Sequence, residues 1–291
     1  MQESFVDVHG VQVFTRWWPV DHPRGVVLVA HGASEHSGRY ARLADALNLA
    51  GLAVAALDHR GHGRTRASTG PGKTGTGGGM ALVEDLHELR AAVESEIGDD
   101  LPMFVFGHSM GALIALAYLT DHSNDLAGAV LCGMPADVDD ASALASTLQA
   151  FAEVRDQPVV NLLSDNNAPF EPARTPFDWL SRDEDEVDRY LADPFCGYGN
   201  PLTYGYLIDL LAVVAPAREH LASISCPILV IAGAQDSAAA MGAHAVTLSR
   251  ALEAAGVEVR TTIYDDARHE LLNEINRTEV VNDIIEWLDV K

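Results

Sequence analysis

The sequence predicts an α/β fold in which a mostly parallel sheet is covered by helices on both faces. Apolar runs of strand length alternate with segments of helical periodicity, which is typical of a chain that crosses over from one parallel strand to the next. Several of the runs are almost continuously apolar, as expected for strands covered on both faces. With 291 residues, 48% of them hydrophobic, the chain can bury the core of one large domain.

The elements follow one another in a regular order. The first residues, SFVDVHGVQVFTRWW, alternate around His9 and Gly10 and predict an antiparallel hairpin. Leucine and valine at three- and four-residue spacing predict a helix over 79–97, and a similar pattern predicts a C-terminal helix over 281–288. Six further strands are predicted at GVVLVA (25–30), LAVAAL (52–57), PMFVFG (102–107), AGAVLC (127–132), PILVIA (227–232) and EVRTTIY (258–264).

The alternation stops between about 137 and 222. This stretch is rich in proline, aromatic and acidic residues and contains no strong strand pattern. We therefore expect a helical cap, inserted over the carboxyl edge of the sheet. The predicted division is a first part of the core over 1–136, the cap over 137–222, and a second part of the core over 223–291.

The charge of the chain excludes some partners. A net charge of −23 argues against nucleic acid, whose phosphates require a basic face, and against electrostatic docking to anionic membranes. No apolar stretch reaches 18 residues, so no transmembrane segment is expected, and the N-terminus lacks the pattern of a signal peptide. The three scattered cysteines, Cys132, Cys196 and Cys226, indicate free thiols, and a cytoplasmic location is the default.

The most specific motif is Gly107-His108-Ser109-Met110-Gly111, which fits G-x-S-x-G. It follows an apolar strand directly and precedes the helical ALIALAYL. A serine at such a strand-to-helix corner occupies a strained turn with its hydroxyl exposed, as in the nucleophile elbow of α/β-hydrolases. Ser109 is therefore the predicted nucleophile.

A serine hydroxyl needs a base, and in this fold the acid and then the histidine follow the serine along the chain. Asp236 comes just after the strand over 227–232, and His269 lies between the last strand and the final helix. Asp236 is expected to hold the imidazole in the correct tautomer. Asp265 and Asp266 are alternative acids, although a polar turn is the simpler interpretation of this pair.

An oxyanion hole requires two backbone N–H groups. The amide of Met110, directly after the serine, is one candidate. The other is expected in the loop His31-Gly32-Ala33-Ser34 that follows the strand over 25–30, where Ala33 is best placed.

Four segments together resemble the monoglyceride lipase and lysophospholipase branch of the α/β-hydrolases, which is related to serine aminopeptidases. The resemblance covers roughly 25–135 and 225–290, with Ala112 and Thr65 in place of the family's usual Gly and Ser. It implies the triad and oxyanion hole named above and a single-chain lipid ester as substrate, such as a monoacylglycerol or lysophospholipid. The segments are HGASEHSGRY (31–40), LDHRGHGRT (57–65), GHSMGA (107–112) and ARHELLNEINR (267–277).

Further residues are candidates for the substrate pocket. Two histidines flank the predicted site, and aromatic residues of the cap either line an acyl-binding cleft or form the cap's own core. The candidates are His36, His108, Phe177, Trp179, Phe195 and Tyr204.

No cofactor and no metal are expected. The segment over 70–75 fits G-x-G-x-x-G, but it follows no strand and contains Pro71, so a surface loop is the better interpretation. Asp58, His59 and His62 have the chemistry of metal ligands but fall in a glycine-rich turn, where their side chains are expected to bond to the backbone.

The sequence thus predicts a serine hydrolase whose partner is a small-molecule or lipid ester, in an unspecified oligomeric state. Alternatives within the enzyme class are a short-chain carboxylesterase, a thioesterase, an aminopeptidase and a carbon–carbon bond hydrolase. An aminopeptidase would need an acidic group for the free amine of its substrate, and Glu184, Asp185 and Glu186 could supply one. An alternative of another class is a non-catalytic scaffold, which usually lacks part of the triad.

Overall fold

The predicted strands form one sheet. The computed structural model describes residues 1–98, 100–135, 138–159 and 164–289. Within these ranges the sheet has eight strands in the order β1-β2-β4-β3-β5-β6-β7-β8. The pairs β1–β2 and β2–β4 are antiparallel, and all other pairs are parallel. The strands are β1 (Gln2–Val8), β2 (Val11–Trp18), β3 (Gly25–Ala30), β4 (Leu52–Leu57), β5 (Met103–His108), β6 (Gly128–Cys132), β7 (Ile228–Gly233) and β8 (Val259–Tyr264).

Helices cover both faces of the sheet. They are α1 (Ala41–Leu49), α2 (Arg66–Thr69), α3 (Met80–Ile97), α4 (Met110–His122), α5 (Val138–Leu148), α6 (Glu184–Ala192), α7 (Tyr204–Val214), α8 (Ala243–Ala254) and α9 (Arg277–Asp289). The predicted α/β-hydrolase class is confirmed, and the N-terminal hairpin and the helices predicted over 79–97 and at the C-terminus are all present.

Two apolar cores lie on opposite faces of the sheet. Successive side chains of a strand point to opposite faces, so Val26 and Leu28 of β3 join the core under α3, α4 and α8, whereas Val27 and Val29 join the core under α1 and α9. All six residues of β3 are buried. This double burial explains why the central strands are continuously apolar in the sequence.

The chain between β6 and β7, called the insertion below, contains α5, α6 and α7 and several short 3₁₀ turns. Part of it has a small apolar core of its own, which includes Phe177, Trp179 and Tyr190. Helix α7 instead contributes Tyr206 and other residues to the main core beside α4. The boundary predicted at 136 and 137 lies outside the described residues.

No helix among the described residues is both long enough and apolar enough to cross a membrane.

Candidate active site

Ser109 occupies the sharp turn between β5 and α4. Its φ of 54° and ψ of −119° are unusual for a residue with a side chain, and such strain is found mainly at functional sites. The backbone N–H of Ser109 donates to the carbonyl of Cys132, at 2.8 Å, which fixes the turn to the end of β6. The residue is 8% exposed.

The glycine after the serine is required by close packing. A Cβ atom on Gly111 would lie 2.1 Å from the carbonyl oxygen of Ala30, at the end of β3. Only glycine therefore lets the first turn of α4 approach the sheet closely enough to hold Ser109 over the carboxyl ends of the strands. This packing accounts for the last position of the G-x-S-x-G motif.

His269 and Asp236 form a buried pair. Asp236 follows β7 and His269 follows β8, so the carboxyl ends of two neighbouring strands bring them together. Nδ1 of His269 lies 2.9 Å from both carboxylate oxygens of Asp236. The backbone N–H groups of Ala238 and Ala239 also donate to Asp236, each at 3.1 Å, and so fix its carboxylate. With Nδ1 engaged, Nε2 of His269 is left to accept a proton.

The end of β6 places this pair beside the serine. Ser109 is hydrogen-bonded to Cys132, and a Cβ atom on the next residue, Gly133, would lie 3.3 Å from Cε1 of His269. The serine turn and the imidazole therefore contact adjacent residues of one short segment. The three predicted triad residues, which are distant in the sequence, lie at one edge of the sheet.

Two neighbouring histidines have opposite pKa shifts. Burial alone would lower the pKa of His269, but the Asp236 carboxylate outweighs burial and raises it above the ordinary value of 6.5. The ring of His108 lies 4.8 Å from that of His269, and burial together with His269 lowers the pKa of His108 to about 4. His108 is thus neutral near pH 7, whereas the pKa of His269 lies above its ordinary value.

The raised pKa of His269 predicts the acidic limb of the pH profile. A general base must be neutral, so kcat/KM should fall as pH drops through the pKa of His269, with a midpoint above 6.5. The measurement is kcat/KM for a p-nitrophenyl ester between pH 4 and 9, with the exposed His9→Gln variant as control. A midpoint well below 6.5 would contradict the assignment of His269 as the base.

The predicted oxyanion loop lies against the serine. A Cβ atom on Gly32 would be 3.3 Å from Cβ of Ser109, so the loop that carries Ala33 borders the nucleophile. Met110 is the first residue of α4, and N–H groups in the first turn of a helix have no acceptor within that helix. Both amides come from segments beside Ser109, as an oxyanion hole requires.

Sequence reasoning missed a buried ionic network that holds this loop. Glu35 accepts hydrogen bonds from the N–H of Gly32, at 2.6 Å, and from the Tyr40 hydroxyl, at 2.7 Å. Arg39 donates to Glu35 at 2.8 Å and binds both carboxylate oxygens of Glu270, at 2.5 and 2.7 Å. Because Glu270 is next to His269, the network connects the oxyanion loop to the histidine loop.

The network keeps the Glu35 carboxylate ionised. Burial acts to raise the pKa of Glu35, but the Arg39 guanidinium outweighs it and lowers the pKa to about 2. Glu35, Arg39, His108 and Glu270 border a cavity of about 10 Å³, large enough for one water molecule. In the sequence, the only hint of this network is that Glu35 and Arg39, of opposite charge, lie four residues apart.

Two of the predicted pocket residues lie beside the triad. These are His108, described above, and Trp179, whose ring centroid is 4.9 Å from that of His269. Backbone N–H groups of the histidine loop donate to the insertion, from His269 to Trp179 at 3.5 Å and from Glu270 to Leu180 at 2.8 Å. The insertion is thus in direct contact with His269.

The other four pocket candidates contact residues other than Ser109, Asp236 and His269. Phe177 is fully buried in the small core of the insertion, where it packs against Tyr190 and Tyr198. Tyr204 stacks on Phe151, with ring centroids 4.5 Å apart. His36 and Phe195 contact each other beside Arg66, on the side of the insertion that faces the N-terminal hairpin. For Phe177 and Tyr204, packing within the insertion is the role that their contacts support.

Comparisons with known proteins agree with this geometry. The model of a family described as serine aminopeptidase S33 matches residues 21–276. The chain is 31% identical to the monoacylglycerol lipase of Mycolicibacterium smegmatis, covering 99% of this chain and 96% of that protein. It is also 31% identical to the monoglyceride lipase of Homo sapiens, covering 98% and 88%.

Among solved structures, a thermostable carboxyl esterase from Bacillus coagulans, crystallised with glycerol, is similar throughout. Its TM-score is 0.90 at 33% identity, covering 99% of this chain and 97% of the esterase. A monoacylglycerol lipase from Paleococcus ferrophilus shares the fold, with a TM-score of 0.73 at 24% identity, covering 95% and 98%.

Proposed function

The chain belongs to the serine aminopeptidase S33 family and is an ester hydrolase of the α/β-hydrolase fold, and from this premise we propose that it cleaves monoacylglycerols. The observation that carries the proposal is the buried Asp236–His269 pair beside the strained Ser109 turn. The likeness to proteins named monoacylglycerol lipase over nearly the whole chain supports the substrate class.

In the proposed reaction, Oγ of Ser109 attacks the ester carbonyl while Nε2 of His269 accepts its proton. Asp236 stabilises the resulting imidazolium. The N–H groups of Ala33 and Met110 bind the oxyanion of the tetrahedral intermediate. Collapse of this intermediate transfers the proton from His269 to the departing glycerol oxygen and leaves an acyl-serine. A water molecule, deprotonated by His269, then attacks the acyl-serine. Collapse of this second tetrahedral intermediate releases the fatty acid and returns the proton from His269 to Oγ of Ser109.

The charges near His269 favour an uncharged head group. Glu35 and Glu270 both lie next to the triad, and the guanidinium of Arg39 is already bound to both carboxylates. A neutral glycerol avoids the repulsion that a phosphate would meet.

A substrate series tests this choice. At equal acyl length, kcat/KM for a monoacylglycerol should exceed that for lysophosphatidic acid by about 10–100-fold, because like charges in close contact are strongly unfavourable. Lysophosphatidylcholine and monoacylglycerols of increasing chain length complete the series. Faster turnover of lysophosphatidic acid would refute the head-group argument.

A short-chain carboxylesterase is the second candidate, favoured by the similarity to the Bacillus coagulans esterase. The same chain-length series separates the two functions. A preference for acetyl or propionyl esters would replace the lipid assignment. Acyl thioesters of matched chain length, assayed in parallel, test the thioesterase alternative.

The surroundings of the acidic residues that could bind the free amine of a peptide argue against the aminopeptidase alternative. Glu186 is buried and bound by both terminal nitrogens of Arg42, at 2.7 and 2.8 Å. Glu184 and Asp185 are exposed on the first turn of α6. None of the three carboxylates is recorded in contact with the triad, which supports an ester substrate over a peptide with a free amine.

The proposed location is the cytoplasm. The three cysteines are all free and buried, which suits a reducing compartment.

A further inference from the structure

Three side chains with the chemistry of metal ligands meet between the core and the insertion. Within the described ranges, His36, Asp193 and Cys196 each offer a ligand atom, and these atoms all lie within 4.8 Å of one another. His36 ends the loop that carries Ala33, whereas Asp193 and Cys196 follow α6. Because His36 and Asp193 lie 157 positions apart in the sequence, no sequence motif predicts this group.

The environment of these three side chains differs from that of an ordinary ion pair on the protein surface. Nε2 of His36 lies 3.0 Å from Oδ2 of Asp193, whose other carboxylate oxygen accepts the N–H of Phe195 at 2.8 Å. Cys196 is only 3% exposed. A buried thiol thus lies beside an oriented histidine–carboxylate pair.

We propose that His36, Asp193 and Cys196 form a binding site for Zn²⁺. Zinc prefers imidazole, thiolate and carboxylate ligands at about 2.0–2.3 Å, so neighbouring ligand atoms are roughly 3.3–3.7 Å apart in a tetrahedral site. The His36–Asp193 separation of 3.0 Å is slightly shorter than this spacing, and all three ligand atoms lie within 4.8 Å of one another. Three protein ligands leave the fourth position to water, as is typical of open zinc sites.

Charge and proton balance are consistent with a dication. The Asp193 carboxylate and a Cys196 thiolate together supply two negative charges. Burial raises the pKa of the Cys196 thiol, so zinc must displace its proton, and binding should strengthen as pH rises. The histidine must carry its proton on Nδ1, which gives up the 3.2 Å contact from the N–H of Gly38. The nearby Arg39 is balanced by its two carboxylate partners.

Zinc would strengthen the contact that already joins the loop of Ser34 and His36 to the insertion. The carbonyl of Ser34 already accepts hydrogen bonds from the N–H of Gly197, at 2.9 Å, and from the Tyr190 hydroxyl, at 3.0 Å. An ion held by His36 and the Asp193–Cys196 segment would join the same loop to the insertion. At a free concentration 100-fold above its Kd, zinc should raise the thermal midpoint by about 5 °C.

Metal titration of the full chain tests the site. We expect one equivalent of Zn²⁺ by calorimetry, and Co²⁺ should give the near-ultraviolet charge-transfer band of a thiolate ligand. Cys196→Ser should abolish the band and weaken zinc binding at least about 100-fold, and Asp193→Asn should weaken it by about 10–100-fold. Cys226→Ser, which removes a buried free thiol in the main core, should change neither measurement.

The proposal fails if wild type shows no thiolate band with Co²⁺, or if the band and the zinc affinity survive in Cys196→Ser. It also fails if Cys226→Ser removes them. Where Cys196→Ser does not fold, His36→Asn replaces it, since the histidine is partly exposed, and unchanged zinc binding in that variant refutes the site equally. These readouts do not depend on ester hydrolysis, so the Ser109→Ala variant should bind zinc like wild type.

Discussion

Replacing Ser109 with alanine is expected to reduce kcat for p-nitrophenyl esters by roughly 10⁵–10⁶-fold. Loss of the nucleophile removes the covalent route entirely, and only transition-state binding by the oxyanion hole remains. Ser109 occupies a strained turn between β5 and α4, and alanine preserves its backbone. The thermal midpoint should therefore stay close to that of the wild type.

The matched control is Ser225→Ala, which removes an exposed hydroxyl that bonds to Asn124 and should leave kcat unchanged. Steady-state assays of both variants, purified alongside wild type, provide the comparison. Substantial turnover by a folded Ser109→Ala protein would refute the assignment of the nucleophile.

The second large effect is expected from Asp236→Asn, which should lower kcat by about 10⁴-fold. Both carboxylate oxygens of Asp236 lie 2.9 Å from Nδ1 of His269, and an amide would favour the wrong tautomer and remove the charge that stabilises the imidazolium. The same substitution should lower the midpoint of the acidic limb, because Asp236 is the group that raises the pKa of His269.

Asp265→Asn and Asp266→Asn are the matched controls. Both aspartates are exposed in the turn after β8, and Asp266 has a positive φ of 58°, which asparagine tolerates well. Their kcat values should remain within a few-fold of wild type. If one of these two variants lost most of its activity while Asp236→Asn stayed active, Asp236 would not be the acid of the triad.

The positions of the strands along the chain and the serine turn could be predicted because each depends on a local pattern. β3 and β7 are continuously apolar because both of their faces are covered. The turn at Ser109 needs glycine where α4 passes the Ala30 carbonyl, and this requirement is visible in the sequence as a motif. The acid and the histidine could be placed because each follows a recognisable strand.

The Glu35–Arg39–Glu270 network could not be predicted in the same way. Glu35 and Glu270 are 235 positions apart, and their meeting at Arg39 depends on how two loops pack at the edge of the sheet. Charged residues are usually exposed, so a burial prediction places all three in solvent. Only the fold shows that they are enclosed and paired.

The aromatic residues of the insertion illustrate a second limit of prediction from the sequence. Phe177 and Trp179 are two positions apart, yet Phe177 is enclosed by Tyr190 and Tyr198 while Trp179 packs on His269. The segment from Asp178 to Leu180 is a short 3₁₀ turn, without the periodicity that assigns side chains to a face. Composition alone therefore could not separate core from pocket residues there.

Covalent trapping tests the role of Ser109 most directly. Incubation with an alkyl fluorophosphonate, followed by proteolysis and mass spectrometry, should find one phosphonyl group on Ser109 of the wild type and none on Ser109→Ala. Labelling of wild type should also slow as pH falls below the pKa of His269, since the neutral imidazole is required. A phosphonyl group on a different residue, with Ser109 unmodified, would contradict the proposed mechanism.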